Sequence, residues 1–189
     1  ISIEDIKNLD DLFQYENKIR ISKNLDNIKI KYEGNNKNIM LINGYSEDKK
    51  IKGIDTPFSE GATLLKKMLK AINLDTEDIY ITNIIPWALN EKLNSSNADI
   101  LECLPIIQKR IEIIKPKIII LMGEIASKAI LNSNINFSKL RGKWFKYRSL
   151  NLDNSIECLA TYHPDFLIKS PSYKKNSWLD LKMIQEKIK

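Results

Sequence analysis

The sequence predicts an α/β protein, a three-layer α/β/α sandwich around a central four-stranded, mostly parallel sheet. Three observations predict it. Four short apolar runs rich in β-branched residues, at 39–42, 79–84, 117–122 and 156–160, read as strands buried on both faces. Stretches with helical periodicity separate them. Strands that alternate with helix-sized crossovers form a parallel sheet covered by helices on both sides.

Taken in chain order, residues 3–13 are compatible with a helix, and Gly34-Asn35-Asn36-Lys37 forms a turn before the first strand. Leu64, Leu65, Met68, Leu69 and Ile72 recur at three- and four-residue spacing and make one apolar helical stripe. Ile100, Leu101, Leu104, Ile107, Ile111 and Ile114 make a second, which ends at Lys115-Pro116 because proline cannot continue a helix. A short helix over 123–131 opens directly after the third strand. Residues 178–188 form an amphipathic C-terminal helix with Trp178, Leu181, Ile184 and Ile188 on one side. No repeat, low-complexity block or linker interrupts 1–189, so the expectation is a single domain.

Composition narrows the function classes. The longest apolar run, 118–122, is strand-sized and far short of a membrane span. The N-terminus, Ile1-Ser2-Ile3-Glu4-Asp5, lacks the basic-then-apolar pattern of a secretory signal. Cys103 and Cys158 sit in apolar contexts that suit buried thiols in a reducing compartment. A cytoplasmic monomer with no membrane association is expected; a first residue other than Met leaves an upstream segment open. Net charge +6 is compatible with a polyanionic partner and equally with a solvated surface.

Chemistry-bearing residues gather where the strands end. Asn43-Gly44-Tyr45-Ser46-Glu47-Asp48 follows the first strand, Asn83 closes the second, Gly123 follows the third, and the fourth delivers His163-Pro164. Open α/β sheets bind ligands at that edge, and His163 is the only histidine in the chain. Imidazole gives or takes a proton near neutral pH. Taken singly, each of these positions is equally compatible with an ordinary loop or core residue. A doubly wound nucleotide-binding protein fits poorly, because Asn43-Gly44-Tyr45-Ser46 carries one glycine rather than a phosphate loop.

An ordered set of fragments carries a resemblance. These are Pro57-Phe58-Ser59-Glu60-Gly61-Ala62-Thr63-Leu64-Leu65, Ile81-Thr82-Asn83, Lys115-Pro116-Lys117, Leu140-Arg141-Gly142-Lys143-Trp144-Phe145, Ala160-Thr161-Tyr162-His163-Pro164 with Leu167-Ile168-Lys169, and Trp178-Leu179-Asp180-Leu181. From about Ile39 onward the chain resembles the uracil-DNA glycosylase superfamily, in its family-4 bacterial and archaeal branch. The resemblance implies removal of uracil from DNA by hydrolysis of the N-glycosidic bond, with the base taken out of the stack into a tight pocket. Phe58 matches the stacking phenylalanine, Asn83 the base-reading asparagine, and His163 the histidine that donates to uracil O2 as charge accumulates there. Arg141, Lys143 and Lys169 are candidates to neutralise DNA phosphates and are equally compatible with a solvated basic surface; Leu167 lies where the family presses an apolar side chain into the gap left by the flipped base and is equally compatible with the core.

The chain departs from the family pattern twice. The family's first motif reads Gly-Glu-Ala-Pro-Gly; aligning on the strand puts Gly44 at the glutamate position, and a one-residue shift puts Asn43 there. An amide at that site orients a water, whereas a glycine cannot; Glu47 or Asp48 reaching in from the loop is a further option. The family usually holds a four-iron cluster through four cysteines. Cys103 matches the last ligand, Trp87 replaces the third, and Phe13-Gln14-Tyr15-Glu16 carries none. One thiol cannot hold such a cluster, so no metal and no cofactor are expected. Two functions follow: a glycosylase acting on uracil-containing DNA, slow or retargeted, or a non-catalytic DNA- or nucleotide-binding relative that keeps the fold and base pocket.

Overall fold

The computed structural model describes residues 2–23, 37–45, 61–87 and 97–189. Its elements are α1 (Leu9–Ser22), β1 (Ile39–Asn43), α2 (Ala62–Lys70), β2 (Tyr80–Asn83), α3 (Asn97–Ile114), β3 (Ile118–Met122), α4 (Gly123–Leu131), α5 (Phe137–Leu140), β4 (Trp144–Tyr147), β5 (Ile156–Thr161), α6 (Pro164–Lys169) and α7 (Lys174–Ile188). The sheet has five strands in the order β2-β1-β3-β5-β4. The four expected strands pair in parallel, and β4 adds an antiparallel edge against β5. Sequence reading missed β4 because Trp144-Phe145-Lys146-Tyr147 does not alternate cleanly: only Tyr147 is buried. A short edge strand with one covered face carries little periodic signal.

Two core layers sandwich the sheet. On one face Leu65, Met68 and Leu69 of α2, Leu167 of α6 and Leu181 and Ile184 of α7 pack against Ile39, Leu41, Ile81, Ile118, Ile120 and Leu159. On the other, Ile107, Ile111 and Ile114 of α3 and Ala126 and Ile130 of α4 cover Met40, Ile42, Ile119, Leu121, Cys158 and Ala160. The helix after β1 and the helix after β3 therefore lie on opposite faces. Such a divergence marks the C-terminal ends of these adjacent strands as the edge at which doubly wound sheets bind ligands in a crevice.

The helix ends follow local chemistry. Asn8 caps α1 by accepting from the Asp11 N–H at 2.8 Å. Residues 3–5 form a separate 3-10 turn, so the helix expected over 3–13 begins later, at Leu9. α3 stops at Ile114, and Lys115 adopts φ 51° ahead of Pro116. On α7 the buried stripe is Ser177, Asp180, Leu181 and Ile184, whereas Trp178 stands 41% exposed rather than on the core side. Among the described residues no helix is long and apolar enough to cross a membrane.

α1 is tied to the rest by charge. Arg110 of α3 and Glu16 of α1, 2% and 3% exposed, form a buried ion pair, and the Arg110 guanidinium also donates to the Tyr80 hydroxyl at 2.8 Å. Removing one partner of such a pair is strongly destabilising because the other charge stays buried. Glu16→Leu should lower unfolding free energy by roughly 3 kcal/mol in urea titration, and Glu16→Leu/Arg110→Met should recover most of that loss.

Candidate functional site

The crevice is lined by the last residues of the strands. Asn43 ends β1 and Asn83 ends β2, and the two are register partners. Side chains alternate along a strand, so Asn43 shares the face of Ile39 and Leu41, and Asn83 that of Ile81; this is the α2 face for both. Neighbouring strands lie about 4.8 Å apart, so the two amides stand side by side. Met122 of β3 is the register partner of Asn43 on the other side and of Thr161 beyond it. A row of Asn83, Asn43, Met122 and Thr161 thus runs along one edge of the sheet.

The two amides are buried, with Asn43 at 0% and Asn83 at 4% exposure. Among the described residues, Oδ1 and Nδ2 of Asn43 and Oδ1 of Asn83 have no hydrogen-bond partner. Leaving a buried polar group unsatisfied costs about 1–3 kcal/mol, and native structures keep few of them. Two adjacent instances at a ligand-binding edge are what a site built for an external hydrogen-bonding partner looks like. The Thr82 hydroxyl is also buried without a partner, but alternation turns it to the α3 face of the sheet, away from the row.

Glycines set the walls of the crevice. A Cβ on Gly44 would lie 2.9 Å from both Cβ and Cγ2 of Ile125 on α4. Position 44 is therefore closed to any side chain without displacing α4, and of the two candidates for the altered first motif only Asn43 presents functional atoms. Gly123 has φ +87° and sits where a Cβ would stand 3.2 Å from the His163 Cβ. Gly61, opening α2, abuts α6: a Cβ there would fall 2.5 Å from the Pro164 Cβ and 2.6 Å from an Asp165 carboxylate oxygen. The ends of β1, β3 and β5 and the start of α2 therefore close on one another. Phe58, Glu47 and Asp48 lie outside the described residues.

His163 leaves β5 and caps α6. Its Nδ1 accepts from the Asp165 backbone N–H at 3.2 Å. A backbone N–H only donates, so Nδ1 is unprotonated and the proton of the neutral ring sits on Nε2, making that nitrogen the donor. The Asp165 carboxylate stands 3.6 Å from the same Nδ1, beyond hydrogen-bonding reach. Pro164 at the first helical position fixes the turn.

The strand that delivers His163 is braced by a group that sequence reading quoted only inside a motif. Asp180 of α7 is fully buried, accepts from the Thr161 hydroxyl at 2.8 Å, and forms a bidentate pair with Arg141, whose Nε donates at 3.0 Å. Burial pushes the Asp180 carboxyl up, and the hydrogen bonds from Arg141 and Thr161 pull it back. Gly142, at φ +66°, leaves room for that carboxylate: a Cβ would stand 2.6 Å from its Oδ1. Arg141 also donates to the Asn176 carbonyl at 3.0 Å and lies over the Tyr162 ring at 5.5 Å. Expected at a DNA surface, Arg141 instead holds α7 against the end of β5. Leu167, expected to press into DNA, is instead core at 1% exposure, because the turn of α6 directs it onto the α2 face. Lys143 and Lys169 are exposed.

These features coincide with a known family. The Uracil DNA glycosylase superfamily pattern matches residues 36–186. The chain belongs to the uracil-DNA glycosylase superfamily. It is 32% identical over 151 residues, 76% of its length, to the type-4 uracil-DNA glycosylase of Sulfurisphaera tokodaii, covering 65% of that protein. It is 28% identical over 144 residues to the type-4 enzyme of Archaeoglobus fulgidus, 74% of this chain and 70% of that one. Against the type-4 enzyme of Saccharolobus solfataricus it is 27% identical over 161 residues, 82% of this chain and 73% of the relative. The chain thus spans about two thirds of the length of the curated relatives it matches.

A four-iron cluster does not fit the residues present. The chain has two cysteines, and they lie in different core clusters, Cys103 with Ile85 and Trp87 and Cys158 in the α3 layer. The Trp87 indole and Ile85 fill the corner beside Cys103, with Ile19 of α1 and Tyr45 against them. Lys23 closes it, 5.9 Å over the Trp87 ring and 2.7 Å from Glu102. Burial pushes the Cys103 thiol up to about 12, so the thiolate that a metal requires is disfavoured. Among the described residues no group of three or more His, Cys, Asp or Glu stands together as a metal site. Purified protein should therefore show no stoichiometric iron by elemental analysis. Neither thiol should react with a disulfide reagent at pH 8 until the chain is unfolded; about four irons per chain would refute the assignment.

Proposed function

We propose that the protein excises uracil from DNA, hydrolysing the N-glycosidic bond of deoxyuridine to release free uracil and leave an abasic site. Membership of a superfamily of uracil-DNA glycosylases makes it a DNA-repair hydrolase by class. The observation that carries the residue assignment is the pair of buried, unpartnered amides at the ends of β1 and β2. Uracil offers an N3–H donor flanked by the O4 and O2 acceptors. The Asn83 amide complements that edge by accepting from N3–H through Oδ1 and donating to O4 through Nδ2; cytosine, with an acceptor at N3 and a donor at C4, mismatches both. The target base is flipped out of the stack into this crevice, with Phe58 stacking on it.

Cleavage leaves the electron pair of the C1′–N1 bond on the base, and negative charge spreads to O2. The Nε2–H of His163 donates to O2 and stabilises that charge without moving during the reaction. Positive charge develops at C1′, and the Asn43 amide orients a water toward it, its Oδ1 accepting from the water. The water oxygen bonds to C1′ and its proton passes to solvent, while the uracil anion takes one up. An amide carries no charge, so it serves the cationic sugar less well than a carboxylate, and turnover is modest relative to binding. The protein acts as a cytoplasmic monomer of one domain, without a cofactor.

Base release from uracil-containing single- and double-stranded oligonucleotides tests this. Wild type should liberate uracil. His163→Ala should slow it by a factor on the order of 10² to 10³. Asn83→Asp should abolish uracil release or alter base choice, because a donor becomes an acceptor. Asn43→Ala should reduce the rate by about tenfold or more, about 1.4 kcal/mol of barrier, with DNA binding retained. An active wild type that tolerates all three changes would refute the site.

A further inference from the structure

Next to the crevice lies a surface that this chemistry does not use. Tyr162, the residue before His163, is buried and stacks on Phe166 with ring centroids 5.1 Å apart and planes 14° from parallel. Tyr173 leans on both rings, 5.2 Å from each. Phe166 and Tyr173 are nevertheless 40% and 42% exposed, and Ile168 beside them is 43% exposed. Tyr162 and Tyr173 both pack against the Phe166 ring, which still stays 40% exposed. Leu167 between them turns into the core, leaving Phe166 and Ile168 as the outward side chains of α6.

The charge around this shelf is positive. Lys169 ends α6, and the exposed Lys174 and Lys175 open α7, which has no acidic side chain in its first turn. Further along α7, Lys182 lies 6.0 Å over the ring of Trp178, itself exposed. Asp180, on the same helix, is buried and paired with Arg141, so it does not offset these lysines at the surface. Aromatic faces interleaved with cations are the surface that holds unpaired nucleic-acid strands: bases stack on the rings and lysines neutralise the phosphates.

We propose that the Phe166–Tyr173 shelf stacks an unpaired base adjoining the target nucleotide, and that the protein therefore prefers single-stranded DNA to duplex. Within a duplex both faces of every base are covered by neighbours, so a ring face can be used only after unstacking and unpairing. A single strand presents the same faces at lower cost. The inference rests on the proposed DNA substrate and adds the form of that substrate and the residues that select it.

Fluorescence anisotropy with a labelled, uracil-free oligonucleotide, single-stranded and as its duplex, tests this. Wild type should bind the single strand more tightly. Phe166→Leu keeps apolar cover on Tyr162 but removes the ring face. It should weaken single-strand binding on the order of tenfold, with duplex affinity and melting temperature unchanged. Tyr173→Leu carries the same expectation should Phe166→Leu fail to fold. Equal loss on both DNA forms, no loss on the single strand, or tighter duplex binding by wild type would overturn the proposal. The oligonucleotide holds no uracil and the readout is binding, so failure of base release leaves this result standing, and an active enzyme with an indifferent Phe166 sinks this inference alone.

Discussion

The chain order of the sheet governs the rest of the molecule. β1 is followed by a helix on one face and β3 by a helix on the other, although the two strands are neighbours. Where α2 and α4 diverge, a doubly wound sheet places its ligands beyond the carboxyl ends of the strands. The last strand positions are thereby placed on rigid, doubly buried strands. Asn43 and Asn83 occupy two such positions, and leaving their amide atoms unsatisfied carries a stability cost.

Close approach, rather than loop length, shapes the crevice. Gly44 lets α4 pack against the end of β1, Gly123 turns β3 into α4 beneath His163, and Gly61 brings α2 onto the start of α6. The histidine is then held from two sides. Its own helix fixes the tautomer through the Asp165 N–H, and Asp180 braces the strand before it through Thr161 and Arg141. The corner around Cys103 is packed by Trp87, Ile85, Ile19 and Tyr45, and the Glu16–Arg110 pair joins α1 to α3.

Much of this was legible in the residues because parallel strands announce themselves. The runs at 39–42, 117–122 and 156–160 became β1, β3 and β5 within a residue or so, since strands buried on both faces are continuously apolar. β4 was not legible, because an edge strand with one covered face lacks that signature. Asn83 and His163 were read from motif order at strand ends, and the structure puts Asn83 at the end of β2 and His163 just after β5. That a side chain at position 44 would meet Ile125 was not available from sequence, because it is a contact between residues some 80 positions apart. Arg141 and Leu167 read as DNA contacts because a basic or apolar residue near a site looks the same in sequence whether it faces solvent or the core. Only Asp180, and the direction of the α6 turn, separate these cases.

The central claim is that the Asn83 amide reads the base, with the Asn43 amide beside it lining the same pocket. Side-chain amide ¹⁵N–¹H spectra during titration with free uracil address it without requiring turnover. The account predicts that the Asn43 and Asn83 side-chain resonances, assigned by Asn43→Ala and Asn83→Ala, shift together and saturably with uracil and do not shift with cytosine. Saturable uracil binding that leaves both resonances unmoved, or an equal response to cytosine, would contradict it.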